Sequence, residues 1–325
     1  MAIEKLVGIK IGLDANAAYT KLQAEKLCST FARKLEHNTG LEVRFDGKKN
    51  RKGQIMGLPP QEIIKFSKNI RSQLSPVYLH GSTYLTKLLL DGRLDEDFFA
   101  NFDFFVTHHS VYEDVSGFFI SEYLKFLKAQ YGSAKRWQSH IKELTDGNLE
   151  DRIINAVGCN IPVAIENDYR AENNLHIVAQ IAEEQDKHLI LDIGHLWKSF
   201  YEFGYNDAPA DKLKNYARGF RQGGWPIFDE NYIEDLGSKI AHCHVHGVER
   251  ITVDYEGGAH SHTWRDHMPL TSKTTTTPAY AELAQRLIAH SKLNGYTVEL
   301  RKEYQTPPEK YILPTMKYFE ENFLP

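Results

Sequence analysis

The chain has 325 residues, 42% hydrophobic, 12% aromatic and 25% charged, a composition that excludes a disordered, fibrous or coiled-coil protein and supplies a large core. Its 39 basic and 43 acidic residues give a net charge of -4, which argues against a dedicated nucleic-acid binder, whose domains are as a rule strongly basic. Cys28, Cys159 and Cys243 have no short pair spacing, so neither a disulfide framework nor a thiolate zinc site is suggested.

In chain order, short apolar runs predict strands at Leu6–Ile11, Leu41–Phe45, Val77–His80, Phe102–Thr107, Ile161–Glu166, Leu189–Asp192, Ile240–His246 and Tyr296–Leu300. Amphipathic stretches between them predict helices at Ala15–Leu35, Pro60–Leu74, Val115–Ala129, Leu149–Ala156, Leu175–Glu184, Lys212–Gly219 and Ala279–Leu293. Strands alternating with helices imply βαβ units and parallel pairing. Eight strands with helices between them match a single (β/α)₈ TIM barrel over residues 1–325, with long loops after the sixth and seventh strands (Trp197–Gly237 and Gly247–Pro278). A doubly wound open sheet is the alternative, but it calls for a Gly-rich phosphate loop after the first strand, which GIKIGLDANA lacks. The opening MAIEKLVGIKIG has no long apolar run, and nothing approaches the roughly 18 apolar residues of a membrane span. A soluble, cytoplasmic protein is expected.

The 15 histidines are the anomaly. In a barrel, the C-terminal strand ends face one site. Those ends carry His80, then His108 and His109 in FVTHHS, Glu166 in VAIEND, and Asp192 with His195 in LILDIGH. They continue with His242, His244 and His246 in IAHCHVHG and Glu299 in YTVELR. Strand alternation puts the three histidines of IAHCHVHG on one side. Imidazole and carboxylate together suit Zn, Mn, Fe or Co, and the lack of thiolate spacing points to a catalytic site with open positions. His267 in RDHMPL, on the long seventh loop, can fold back as a further ligand.

In that order, VAIEND, LILDIGH, AHCHVHG, RDHMPL and GYTVELR resemble the xylose isomerase-like barrel superfamily, which includes sugar and sugar-phosphate isomerases and epimerases and the endonuclease IV-type phosphodiesterases. The resemblance covers the C-terminal half well, and the first half chiefly through VYLHGSTYL and FVTHHS. It implies that Glu166, Asp192, His244 and Glu299 hold one divalent ion. Glu166 and Glu299 would double as the acid/base pair, with His195 touching substrate oxygens. In the endonuclease IV branch His80, His108, His195 and His267 would join as ligands and build two or three ions. That branch has an Asp two residues before the histidine matching His267, where this chain has Arg265, with Asp266 adjacent.

Other features have plainer readings. His242 and His246 flank His244 as supporting or packing residues, with His246 also a candidate for substrate contact. His260 and His262 lie in the Gly-rich EGGAHSH and are expected in solvent, while His37, His140, His176, His188 and His290 fall on helices or their ends. The basic run DGKKNRKG reads first as a solvated loop. Arg250 and Arg265, with Lys273, are candidate anion clamps, since planar Arg suits bidentate phosphate recognition. Trp197, Trp225 and Trp264 could floor a sugar site or pack the insertions. The expected function is a metal-dependent sugar or sugar-phosphate isomerase or epimerase. Its partners would be a small-molecule sugar or phosphorylated substrate ahead of nucleic acid, and another copy of the chain, with no membrane. A multinuclear phosphoester hydrolase, an iron oxygenase that modifies a peptide, and a metal-binding protein without turnover are the alternatives.

Overall fold

The structure, a computed structural model, describes residues 3–12, 17–34, 39–49, 51, 55–108, 157, 161–168, 174–202, 230–254, 260–275 and 278–325. Through the first part of the chain the elements are β1 (Glu4–Gly12), α1 (Ala17–Lys34), β2 (Thr39–Asp46), β3 (Lys48–Lys49), β4 (Ile55–Met56) and α2 (Pro60–Arg71). There follow β5 (Val77–His80), α3 (Thr83–Leu90), α4 (Glu96–Phe99) and β6 (Phe104–His108). The second part has β7 (Val163–Glu166), α5 (Asn174–Glu184), β8 (His188–Asp192), α6 (Ile193–Glu202), α7 (Glu230–Lys239) and β9 (Ile240–Val245). It ends with β10 (Gly247–Asp254), β11 (His260–Met268), α8 (Pro278–Ala289), β12 (Gly295–Glu299) and α9 (Pro308–Asn322). Eight strands close into a barrel in the order β1-β12-β9-β8-β7-β6-β5-β2. This is the (β/α)₈ architecture expected from the alternation of apolar strand runs and amphipathic segments. The expected helices at Val115–Ala129, Leu149–Ala156 and Lys212–Gly219 lie outside the described residues.

By contact the chain divides into two compact units, one of Met1–Val7 with Ile165–Pro325, the other Gly8–Ala164. In Gly8–Ala164, β2 pairs in parallel with β5 (Arg44 opposite His80) and β5 with β6 (His80 opposite Val106). Pro60 opens α2 at a position where its missing N–H is no loss. The helix then buries Ile63, Phe66, Ser67 and Ile70, a stripe at helical spacing. Phe66 meets Phe45 of β2 edge to face, 5.9 Å between centroids. Burying each such ring is worth about 1.5–3 kcal/mol. Ser82 caps α3 by accepting from the Leu85 N–H.

In the other unit, β8 pairs with β9 and β12 with β9, all parallel. That register sets Asp192 opposite His244, and His244 opposite Thr297. Leu191, Cys243, Val245, Tyr296 and Val298 fill the core around these strands. α9, which was not expected, buries Ile312, Thr315, Met316 and Phe319 despite Pro314 in its interior. That proline is what disguises it in the sequence.

The expected loop Gly247–Pro278 is instead mostly a hairpin. β10 and β11 pair antiparallel, with Arg250 opposite Trp264 and Ile251 opposite Thr263. Val248, Ile251, Thr252 and Val253 are β-branched residues that favour a pleated strand. His260 and His262 accordingly lie on a strand rather than in a Gly-rich loop. Trp197 is not in an insertion: it lies on α6, is fully buried and packs against Phe323, so its role is core packing.

Candidate functional site

Four strand ends of the Ile165–Pro325 unit deliver acidic and imidazole side chains to one place. Glu166 ends β7, Asp192 ends β8, His244 lies one residue before the end of β9, and Glu299 ends β12. One donor atom from each of the four lies within 4.8 Å of each of the others. His244 Nδ1 is 3.0 Å from Glu166 Oε1 and 3.8 Å from Glu299 Oε2. Glu166, Asp192 and His244 are fully buried, whereas the Glu299 side chain keeps 16% exposure. The sheet makes this arrangement: adjacent strands lie about 4.8 Å apart, so residues in register across β8 and β9 are brought close without further help.

Asp192 is the most heavily braced of the four. α6 begins immediately after it, and Asp192 caps that helix by accepting the His195 N–H at 2.6 Å. Asn167, next to Glu166, holds the Asp192 main chain at both ends, accepting from its N–H at 2.8 Å and donating to its carbonyl at 3.1 Å. The third brace is His246. The His267 N–H donates to His246 Nδ1 at 2.9 Å, so Nδ1 carries the lone pair and Nε2 the hydrogen. Nε2 donates in turn to the Asp192 carboxylate, 3.0 Å away. Gly194 is required here, because a Cβ on it would sit 2.0 Å from the His246 ring. His195 points its Nδ1 at the Asn167 carbonyl, 3.2 Å away, and lies 3.4 Å from Asp192 and 3.7 Å from Glu166.

His267 arrives from the hairpin. Its ring stacks on that of His246 with centroids 4.2 Å apart, and its Nε2 is 3.3 Å from Glu299 Oε2. Donor atoms of His195, His246 and His267 form a second group within 4.8 Å of one another. Burial alone would lower the His267 pKa, but hydrogen bonds and charge from Asp266 and Glu299 outweigh it and push it up to about 10. Burial alone would raise the Asp266 carboxyl, but His267 and Lys198 hold it well below the usual carboxylate range. His242, two residues deeper in β9, is held well below the ordinary histidine value by burial and by His244. It hydrogen-bonds the Thr297 hydroxyl at 2.8 Å, as a supporting residue would.

In the Gly8–Ala164 unit His80 ends β5 and His108 ends β6, with ring centroids 5.4 Å apart. His80 donates Nδ1–H to the Gly81 carbonyl at 2.8 Å, which leaves the lone pair on Nε2. His109 and Trp225 lie outside the described residues. Arg250 is exposed on β10 with its guanidinium 5.9 Å from the centre of Trp264, and Arg265 is ion-paired with Glu303. His246, a candidate for substrate contact, is fully buried with its nitrogens turned to Asp192 and His267. The sequence reading assigned no role to Asn167, Lys198 or Arg301. Their only signals were position: directly after Glu166, one helical turn after His195, and two residues after Glu299.

The donor set fits a divalent cation. Three carboxylates with oxygens within 4.8 Å of one another repel one another unless positive charge shares the space, and the imidazole adds a donor of the kind such ions accept.

The chain matches no protein-family model and no curated protein. Among solved structures it is similar to a sugar phosphate isomerase/epimerase from Parabacteroides distasonis, at 8% identity and a TM-score of 0.45, over 98% of this chain and 94% of that one. It is also similar to a xylose isomerase domain protein from Planctomyces limnophilus, at 9% identity and 0.41, over 99% of both chains. A third is the IolI protein with a binding zinc atom, at 12% identity and 0.37, over 98% of this chain and 87% of that one. The barrel is established by this chain's own strand pairing, and the chemistry has to come from its own side chains.

Proposed function

We propose that this protein is a metal-dependent isomerase or epimerase of a sugar or sugar phosphate, with residues 1–325 working as one barrel. The observation that carries this reading is the donor set of Glu166, Asp192, His244 and Glu299, gathered within 4.8 Å from four strand ends. These four would hold the ion, and Zn, Mn, Fe or Co suit their mixture of donors. When bound, such an ion polarises a substrate carbonyl and stabilises the negative charge that develops on it.

The proton work falls to Glu166 and Glu299. One carboxylate takes the proton from the carbon beside the carbonyl and the other returns one, at the neighbouring carbon or on the opposite face. Glu299, at 16% exposure, is the more accessible of the two. His195, with its Nδ1 turned to the Asn167 carbonyl, is the candidate for contact with substrate oxygens. His246 acts through Asp192, whose carboxylate it holds. Arg250 and Arg265 are the candidates for an anionic group at the rim.

Turnover on a panel of sugars and sugar phosphates tests the proposal. Glu166→Gln and Glu299→Gln should each lose about 10²–10⁴ in kcat, with the fold intact. Unchanged turnover in Glu299→Gln with metal still bound would remove that residue from the mechanism.

A second reading, a multinuclear phosphoester hydrolase, is favoured by His195 and His267, each with a donor atom within 4.8 Å of the other. In it His80, His108, His195 and His267 add ligands, and iron in place of zinc would turn the same scaffold toward oxygenase chemistry. Two or three ions per chain, one of them lost in His80→Ala, would favour it over the isomerase.

A further inference from the structure

His267 stands in an unusual place for a site residue. It is adjacent to Asp266 on β11, and adjacent residues of a regular strand point to opposite faces. Here both turn to the same side, with His267 Nδ1 3.2 Å from Asp266 Oδ1. Two features explain this. The β10–β11 register shifts between Gly247 and Glu249, whose partners are Met268 and Arg265, so Asp266 and His267 together oppose Val248. His267 also has φ of 55°, in the left-handed region. Together these make a β-bulge, a device that re-aims side chains, built here on a residue with a Cβ that disfavours the conformation.

The groups that hold this conformation come from α6 (Lys198), from His246 between β9 and β10, and from Arg301 in the segment after β12. Around the Asp266–His267 peptide, the carbonyl of Asp266 accepts from Arg301 Nε at 2.8 Å and the N–H of His267 donates to His246 at 2.9 Å. The next carbonyl, of His267, accepts from the Arg301 N–H at 3.0 Å. The Asp266 carboxylate accepts from Arg301 at 3.0 Å on one oxygen and from Lys198 Nζ at 2.8 Å on the other. Lys198 and Asp266 are both buried, where a charge-assisted pair is stronger than in water.

We propose that Lys198, Asp266 and Arg301 are positioning residues of the metal site: they clamp the bulge and thereby aim His267 at Glu299. The inference rests on the metal-dependent reading above. Arg301 cannot be replaced by lysine without loss, because only its planar fork reaches the Asp266 carbonyl and carboxylate together.

The test uses the full chain with ¹⁵N-labelled histidine, first free of metal. Signals of the His267 imidazole, identified by their absence in His267→Ala, should shift or broaden in Arg301→Met and in Lys198→Met. Arg301→Lys should be intermediate, and the His242 signals should not move in any of them. Zn²⁺ affinity is then measured by competition with a chromophoric chelator. Arg301→Met should weaken binding about tenfold, within the range for residues that orient ligands, and should cause no further loss in a His267→Ala background. Unmoved His267 signals would overturn the clamp, as would equal weakening by Arg301→Met with and without His267. A wild-type chain whose imidazole signals behave as expected but which binds no Zn²⁺ would overturn the metal reading instead, and with it the clamp's part in that site.

Discussion

Two parts of the site are built by different means. Glu166, Asp192, His244 and Glu299 sit at or beside the ends of regular strands, and parallel pairing alone sets Asp192 against His244. His267 comes from a hairpin, through a bulge with a left-handed residue, and is held by side chains from α6, β11 and the segment after β12. The first arrangement follows from the fold, with Asn167 and His246 bracing Asp192 in addition. The second exists only while a polar network is intact. A barrel can thus present the proposed ligand set from backbone register and add a further group by local, more easily altered contacts.

The sharpest way to separate the two is chemical. Glu166→Gln or Glu299→Gln should cost turnover by about 10²–10⁴ without lowering the melting temperature, as measured by steady-state kinetics beside thermal unfolding. A smaller effect should follow from Asn167→Ala, which removes both hydrogen bonds to the Asp192 main chain. Chelator competition should show metal affinity falling about 10–100-fold, as for other residues that orient ligands. Gly194→Ala would drive a Cβ into the His246 ring and should destabilise the protein by about 1–3 kcal/mol in denaturant unfolding. The smallest effect isolates the bulge. Both His267→Ala and His267→Gly remove the imidazole, but the glycine variant should be more stable by about 1–2 kcal/mol, because glycine alone takes the left-handed conformation freely. Equal stabilities would mean that the bulge straightens once the ring is gone.

The strand-end residues were legible in the sequence because each follows a short apolar run, and such runs mark buried parallel strands in any barrel. The run LILD ending on Asp192 and the run IAHCHV carrying His244 needed only strand periodicity to be placed. The hairpin was not legible. Glycines in EGGAHSH mimic a loop, and the β-branched residues before them were too few to offset that signal. Nor could periodicity reveal Lys198 or Arg301: both matter through a carboxylate far along the chain, at a bulge that carries no glycine to announce it. α9 was hidden for a related reason, its Pro314 contradicting a helix that the buried stripe of Ile312, Met316 and Phe319 nonetheless sustains.

The most direct test is the metal content of anaerobically purified protein, measured by elemental analysis for the wild type and His244→Ala. The account predicts at least one divalent ion per wild-type chain and its loss in His244→Ala, with both proteins folded. A wild-type chain that holds no metal and takes up none of Zn, Mn, Fe or Co, or a His244→Ala protein that keeps its full complement, would contradict it.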